Sequence, residues 1–107
     1  MNGVGRIIAE LTFLSRAEGG RKNPPNPNWV PERDLGYMPH VVVEGSNEYL
    51  GVRFLSGPKP VLFGEAARFE MLLMYPGVDY SALVPGAMVT VREGKRIVAR
   101  GRILSRI

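Results

Sequence analysis

Residues 6–15 alternate strictly along the chain, with Ile7, Ala9, Leu11 and Phe13 on one side of an extended backbone and Ile8, Glu10, Thr12 and Leu14 on the other. A period of two is that of a strand with one face against a core, so a first strand is expected here. The periodicity then stops. From about 16 to 37 the chain carries Pro24, Pro25, Pro27 and Pro31, which cannot donate the backbone hydrogen bonds of a helix or an inner strand. This reads as a long, proline-stiffened loop, and loops beyond about 15 residues are uncommon in compact domains and tend to carry function.

Periodicity resumes at 38–44, a short β-branched run, and at 49–55, where Leu50, Val52 and Phe54 share a face; Ser46 and Asn47 supply turn chemistry between them, so the two read as a hairpin. Residues 56–65 hold Gly57, Pro58, Pro60 and Gly64 and read as a connection with a short edge strand at 61–63. In the apolar run 68–75, Ala66, Phe69, Leu72 and Leu73 also fit a helical period, but Gly64 and Pro76 bound it to about strand length, which favours a strand. Residues 88–92 and 96–106 flank Glu93-Gly94-Lys95 and form a closing hairpin in which Gly94 supplies the positive φ of a tight turn. Six or so short strands without a convincing amphipathic helix point to an all-β domain, a closed barrel or a sandwich.

At 107 residues the chain has room for one domain, 1–107. No cysteine is present, which excludes disulfides and thiolate metal sites, and no stretch approaches the ~18 apolar residues of a membrane helix. The N-terminus lacks a basic head followed by a long apolar segment, so a secretory leader is not expected and the cytoplasm is the expected compartment. The formal net charge of +4 favours acidic partners such as RNA without requiring one.

Catalytic chemistry finds little support. His40 is the single histidine and lies in an expected strand; Glu32 with Asp34 and Glu44 with Glu48 lie in or beside loops among basic or polar neighbours. There is no phosphate-binding Gly-x-x-x-x-Gly-Lys motif, and Gly3-Val4-Gly5 lacks the third glycine of a dinucleotide turn. A non-enzyme with no metal, cofactor or small-molecule substrate is expected.

Binding chemistry finds more. With a period of two, Arg96, Arg100, Arg102 and Arg106 share one face of the last strand with Val98 and Leu104, opposite Ile97, Ala99, Ile103 and Ile107. At about 3.3 Å per residue such a row spans roughly 30 Å, and guanidinium forks suit phosphate; a solvated outer barrel face would use arginine equally well. In the long loop, Trp29 sits between Pro27 and Pro31. A stiffly mounted tryptophan can anchor a partner or fold down as a plug for one end of the barrel.

The segment Leu14-Ser15-Arg16-Ala17-Glu18-Gly19-Gly20-Arg21 resembles the Leu-Ser-Lys-x-Glu-Gly-Gly-Arg turn that opens the third, C-terminal domain of translation elongation factor Tu. Tyr37-Met38-Pro39 resembles its Tyr-Arg-Pro entry into the second strand, and residues 91–101, with Arg92-Glu93-Gly94-Lys95-Arg96 at their centre, are similar to its Arg-Glu-Gly hairpin. The resemblance spans nearly the whole chain. It implies a six-stranded antiparallel Greek-key barrel and a place in translation, where that domain packs on its neighbours and holds aminoacyl-tRNA; Gly20, Arg21, Arg92, Glu93, Gly94 and Arg96 take a candidate role by position. The loop is longer here than in the family, Arg100 and Arg102 stand where the family has small or apolar residues, and the other two domains of the factor have no counterpart in this sequence.

The expectation is therefore a non-catalytic binding module that engages a protein partner through the long loop, with Gly20, Arg21, Trp29, Arg33 and Tyr37 as partner-binding candidates. The alternative is a tRNA- or RNA-binding module using Arg21, Arg92, Arg96, Arg100 and Arg102.

Overall fold

The structure is a computed structural model, described for residues 5–25 and 36–107. Trp29, Arg33, Glu32 and Asp34 lie outside the described residues. The strands are β1 (Arg6–Phe13), β2 (His40–Val43), β3 (Leu50–Ser56), β4 (Ala67–Leu73), β5 (Met88–Glu93) and β6 (Arg96–Arg106), with one short 3₁₀ turn at Arg16–Glu18. They close into an antiparallel barrel in the order β1-β4-β3-β2-β5-β6. Strands β2, β3 and β4 run as consecutive neighbours while β5 returns beside β2, which is Greek-key connectivity.

The alternation of apolar residues explains which side of each strand faces inward. Ile7, Ala9, Leu11 and Phe13 of β1 are fully buried, as are Val52 and Phe54 of β3, Phe69, Met71 and Leu73 of β4, and Val91 of β5. At the centre, the rings of Phe13, Phe54 and Phe69 form a triangle with centroids 5.4–6.1 Å apart and edge-on geometry, the arrangement favoured by aromatic quadrupoles.

Two expectations are corrected. Residues 61–63 form no strand: with Pro58 and Pro60 unable to donate ladder hydrogen bonds, the segment instead turns Val61 into the core, with Phe63 packed against it. The alternation assumed along the last strand is also broken twice, because β6 carries an extra residue against each neighbour. Its register against β5 shifts between Val91 and Arg92, and against β1 between Ile8 and Ala9. The first bulge leaves Val98 unopposed, so Val98 and Ala99 are both buried while Ile97 turns partly outward.

The run 67–73 is a strand, and the β5–β6 turn has Gly94 at φ 62°, as its two-residue loop needs. Gly101 answers to a different constraint. It sits opposite Leu11 and Val89, and a Cβ there would overlap the carbonyl oxygen of Glu10. Gly101→Ala is expected to lower the unfolding free energy by about 1–3 kcal/mol, whereas Arg102→Ala next to it, on the solvent side, should change it by no more than about 0.5 kcal/mol; urea unfolding of the two variants checks the contrast.

Candidate interaction site

The Gly-Gly-Arg turn and the β5–β6 hairpin meet at one end of the barrel. Glu18 tightens the first, its carboxylate accepting from the Ser15 amide (3.0 Å) and the Ser15 hydroxyl (3.2 Å). Gly20 then passes so close to Leu14 that a Cβ would overlap the Leu14 carbonyl oxygen, and the Arg21 amide donates to that same oxygen at 3.1 Å. The turn is laid against β6 by the Leu14 amide, which donates to the Val98 carbonyl at 2.8 Å.

This places Arg21 over the hairpin. One of its terminal guanidinium nitrogens donates to Glu93 Oε2, and its Nε donates to the Asn23 carbonyl at 2.8 Å. The Tyr37 hydroxyl donates to the same Glu93 oxygen at 2.6 Å, and the Arg21 guanidinium lies 5.3 Å from the centre of the Tyr37 ring. That ring rests on the core, 5.0 Å from Phe54 and 6.3 Å from Phe13. Residues 21 and 37, which bracket the long proline-rich connection, are thus joined through a single carboxylate oxygen on the hairpin.

The electrostatics follow from partial burial. Burial works against the Arg21 charge, but the hydrogen bond and charge of Glu93 outweigh it, so the guanidinium pKa is raised. Burial first, then the Glu93 hydrogen bond and charge, push the Tyr37 hydroxyl well above its ordinary value of 10.0, with Arg21 pulling weakly the other way.

Among the partner-binding candidates, Gly20 is buried and Tyr37 faces the core, so these two build the corner, while Arg21 is committed to Glu93. The exposed cations around the corner are Arg16, Lys22, Lys95 and Arg96, with Gly19, Lys95 and Arg96 lining a shallow depression beside Glu93.

The arginines of β5 and β6 divide by what they touch. Arg106 donates to the carbonyls of Tyr80 (2.8 Å) and Leu83 (3.4 Å) and so ties down the connection before β5. Arg102 stands 3.6 Å from Glu10 in an exposed pair, an interaction of the class worth about 0–1 kcal/mol. Arg92 donates from Nε to the Thr90 hydroxyl (3.0 Å) and from Nη1 to the Tyr49 hydroxyl (3.3 Å), with its guanidinium 5.6 Å from the Tyr49 ring centre. Arg96 and Arg100 are exposed and have no hydrogen bond or ion pair among the described residues. The four arginines do not act as one row.

His40 packs edge-on to Tyr49 at 5.7 Å. Among the described residues no group of three His, Asp or Glu side chains comes together to hold a metal, and no helix is long and apolar enough to cross a membrane. Comparison with protein-family models and with curated proteins finds no match for this chain. The joint at Glu93 and the Arg92–Tyr49 stack have no local sequence signal, because their members are separated by dozens of residues.

Replacing Glu93 with Gln removes the charge that Arg21 and Tyr37 share and should cost about 1–2 kcal/mol, at the low end for charge-assisted bonds because both side chains are partly solvated; the shift of the urea midpoint measures it. A second expectation concerns pH. Since the folded state raises the Tyr37 pKa, this group's contribution is fully present below pH 10 and is lost as pH rises from there toward the folded value. The thermal midpoint should fall above pH 10, and fall less in Tyr37→Phe.

Proposed function

We propose that this barrel is a non-catalytic binding module of the elongation factor Tu third-domain type, acting in the cytoplasm, which engages a protein partner through the connection between Arg21 and Tyr37. The observation that carries the reading is the shared carboxylate of Glu93, which binds both Arg21 and Tyr37 and so fastens the two ends of that connection to one corner of a rigid barrel. Recognition segments are commonly mounted in this way, variable in sequence between fixed ends. The resemblance at the Gly-Gly-Arg turn and at the Arg-Glu-Gly hairpin agrees with it, since the two motifs meet at this corner.

One observation favours RNA as a second reading: Arg96 and Arg100 are exposed cations with no protein partner among the described residues, in a chain of net charge +4. Phosphate binding by such groups would make affinity fall steeply with salt.

The test is capture from lysate on the immobilised protein, with and without ribonuclease, using Trp29→Ala and Arg33→Ala. A protein that survives ribonuclease and binds at least about 30-fold more weakly to either variant, a loss of about 2 kcal/mol, at an unchanged thermal midpoint supports the loop reading. Capture unaffected by both variants refutes it, and a lowered midpoint in Trp29→Ala alone identifies that ring as a barrel plug. Recovery of RNA whose salt dependence flattens in an Arg96/Arg100/Arg102 triple alanine variant moves RNA to the front.

A further inference from the structure

A groove of about 240 Å³ runs over the outer face of β2, β5 and β6, bounded at one end by the turn after β2. Its lining includes two partly exposed apolar side chains of the outer face, Met88 and Ile97, with Arg92 and Arg100; Val43, opposite Val89, packs toward the core. Met88 is 50% exposed, and Ile97 reaches this face only because of the bulge at Val98. Among the described residues the groove shares no lining residue with the depression beside Glu93.

The two arginines differ in preparation. Arg92 is held in place by the Thr90 hydroxyl, the Tyr49 hydroxyl and the Tyr49 ring, so little rotamer freedom remains to be lost on binding. Arg100 lies across from Thr90 in the β5–β6 ladder and has no partner of its own among the described residues. Among the described residues neither cation is paired with a carboxylate, and Glu44, at the turn, is the one carboxylate residue in the lining.

We propose that this groove is a docking site for an acidic peptide segment in extended form: a carboxylate of the peptide pairs with Arg92 and Arg100, and an apolar side chain two residues away covers Met88 and Ile97. Charge complementarity selects the carboxylate, and burial of the apolar neighbour accounts for the exposed methionine. Single-stranded RNA fits less well. Among the described residues no aromatic side chain lines the groove, the nearby Tyr49 ring already has Arg92 over it, and Glu44 repels a polyanion.

The experiment pans a phage-displayed random heptapeptide library on the intact protein and measures the selected peptides by fluorescence anisotropy, alongside a dodecameric oligouridylate. The expected result is enrichment of peptides with Asp or Glu two positions from a large apolar residue, with affinity at least tenfold lower for Arg92→Gln/Arg100→Gln. Arg100→Gln alone, which breaks no intramolecular bond among the described residues, should also weaken them, and keeps the test valid if the double variant misfolds. Binding unchanged in Trp29→Ala separates this site from the loop. Peptides without acidic residues, equal affinity for Arg100→Gln, or oligouridylate binding that depends on Arg92 and Arg100 where no peptide is selected would each overturn the proposal.

Discussion

Closure of the barrel rests on β1, which pairs along its length with β4 on one side and β6 on the other. With both flanks of the first strand engaged, the sheet has no free edge to pair with another chain. The inward side chains of six strands then converge on a single interior filled by the Phe13, Phe54 and Phe69 rings. The constraint is steric as well as cohesive: Gly101 lets β6 approach β1 where any Cβ would meet the Glu10 carbonyl.

That rigid interior gives the candidate site its geometry. Tyr37 leans on Phe54 and Phe13, Leu14 hydrogen-bonds to Val98, and the hairpin holds Glu93 at the point where Arg21 and Tyr37 arrive. The ends of the long connection are therefore positioned by the core rather than by their own propensities. The bulge at Val98 acts in the same sense on the outer face, turning Ile97 outward and Val98 inward, which adds an apolar side chain to the groove next to Arg92 and Arg100.

Counting basic residues alone would have treated this surface as uniform. The structure sorts them: Arg106 is spent on carbonyls, Arg6 on Glu70 at 2.7 Å, Arg21 on Glu93 and Arg102 weakly on Glu10, while Arg96 and Arg100 have no partner among the described residues. A cation whose donors are already satisfied offers little to a partner, so the binding capacity of the surface is narrower than the net charge implies.

Period-two alternation made β1 and β3 legible in the sequence, the bounds at Gly64 and Pro76 favoured a strand for β4, and Gly94 marked the final turn, because these depend on neighbours a few residues apart. The exclusion of disulfides was equally local, following from composition. The failures had the opposite character. At 61–63 burial of Val61 replaced a strand, at Val98 a bulge reversed the faces, and the meeting of Arg21, Tyr37 and Glu93 and the stacking of Arg92 on Tyr49 depended on which strands became neighbours. The sequence by itself determined the six barrel strands and the inward faces of β1 and β3. Only the tertiary structure decided register, bulges and ion-pair partners, because these are set by the closure of the barrel, where the fit of distant strands outweighs any local preference.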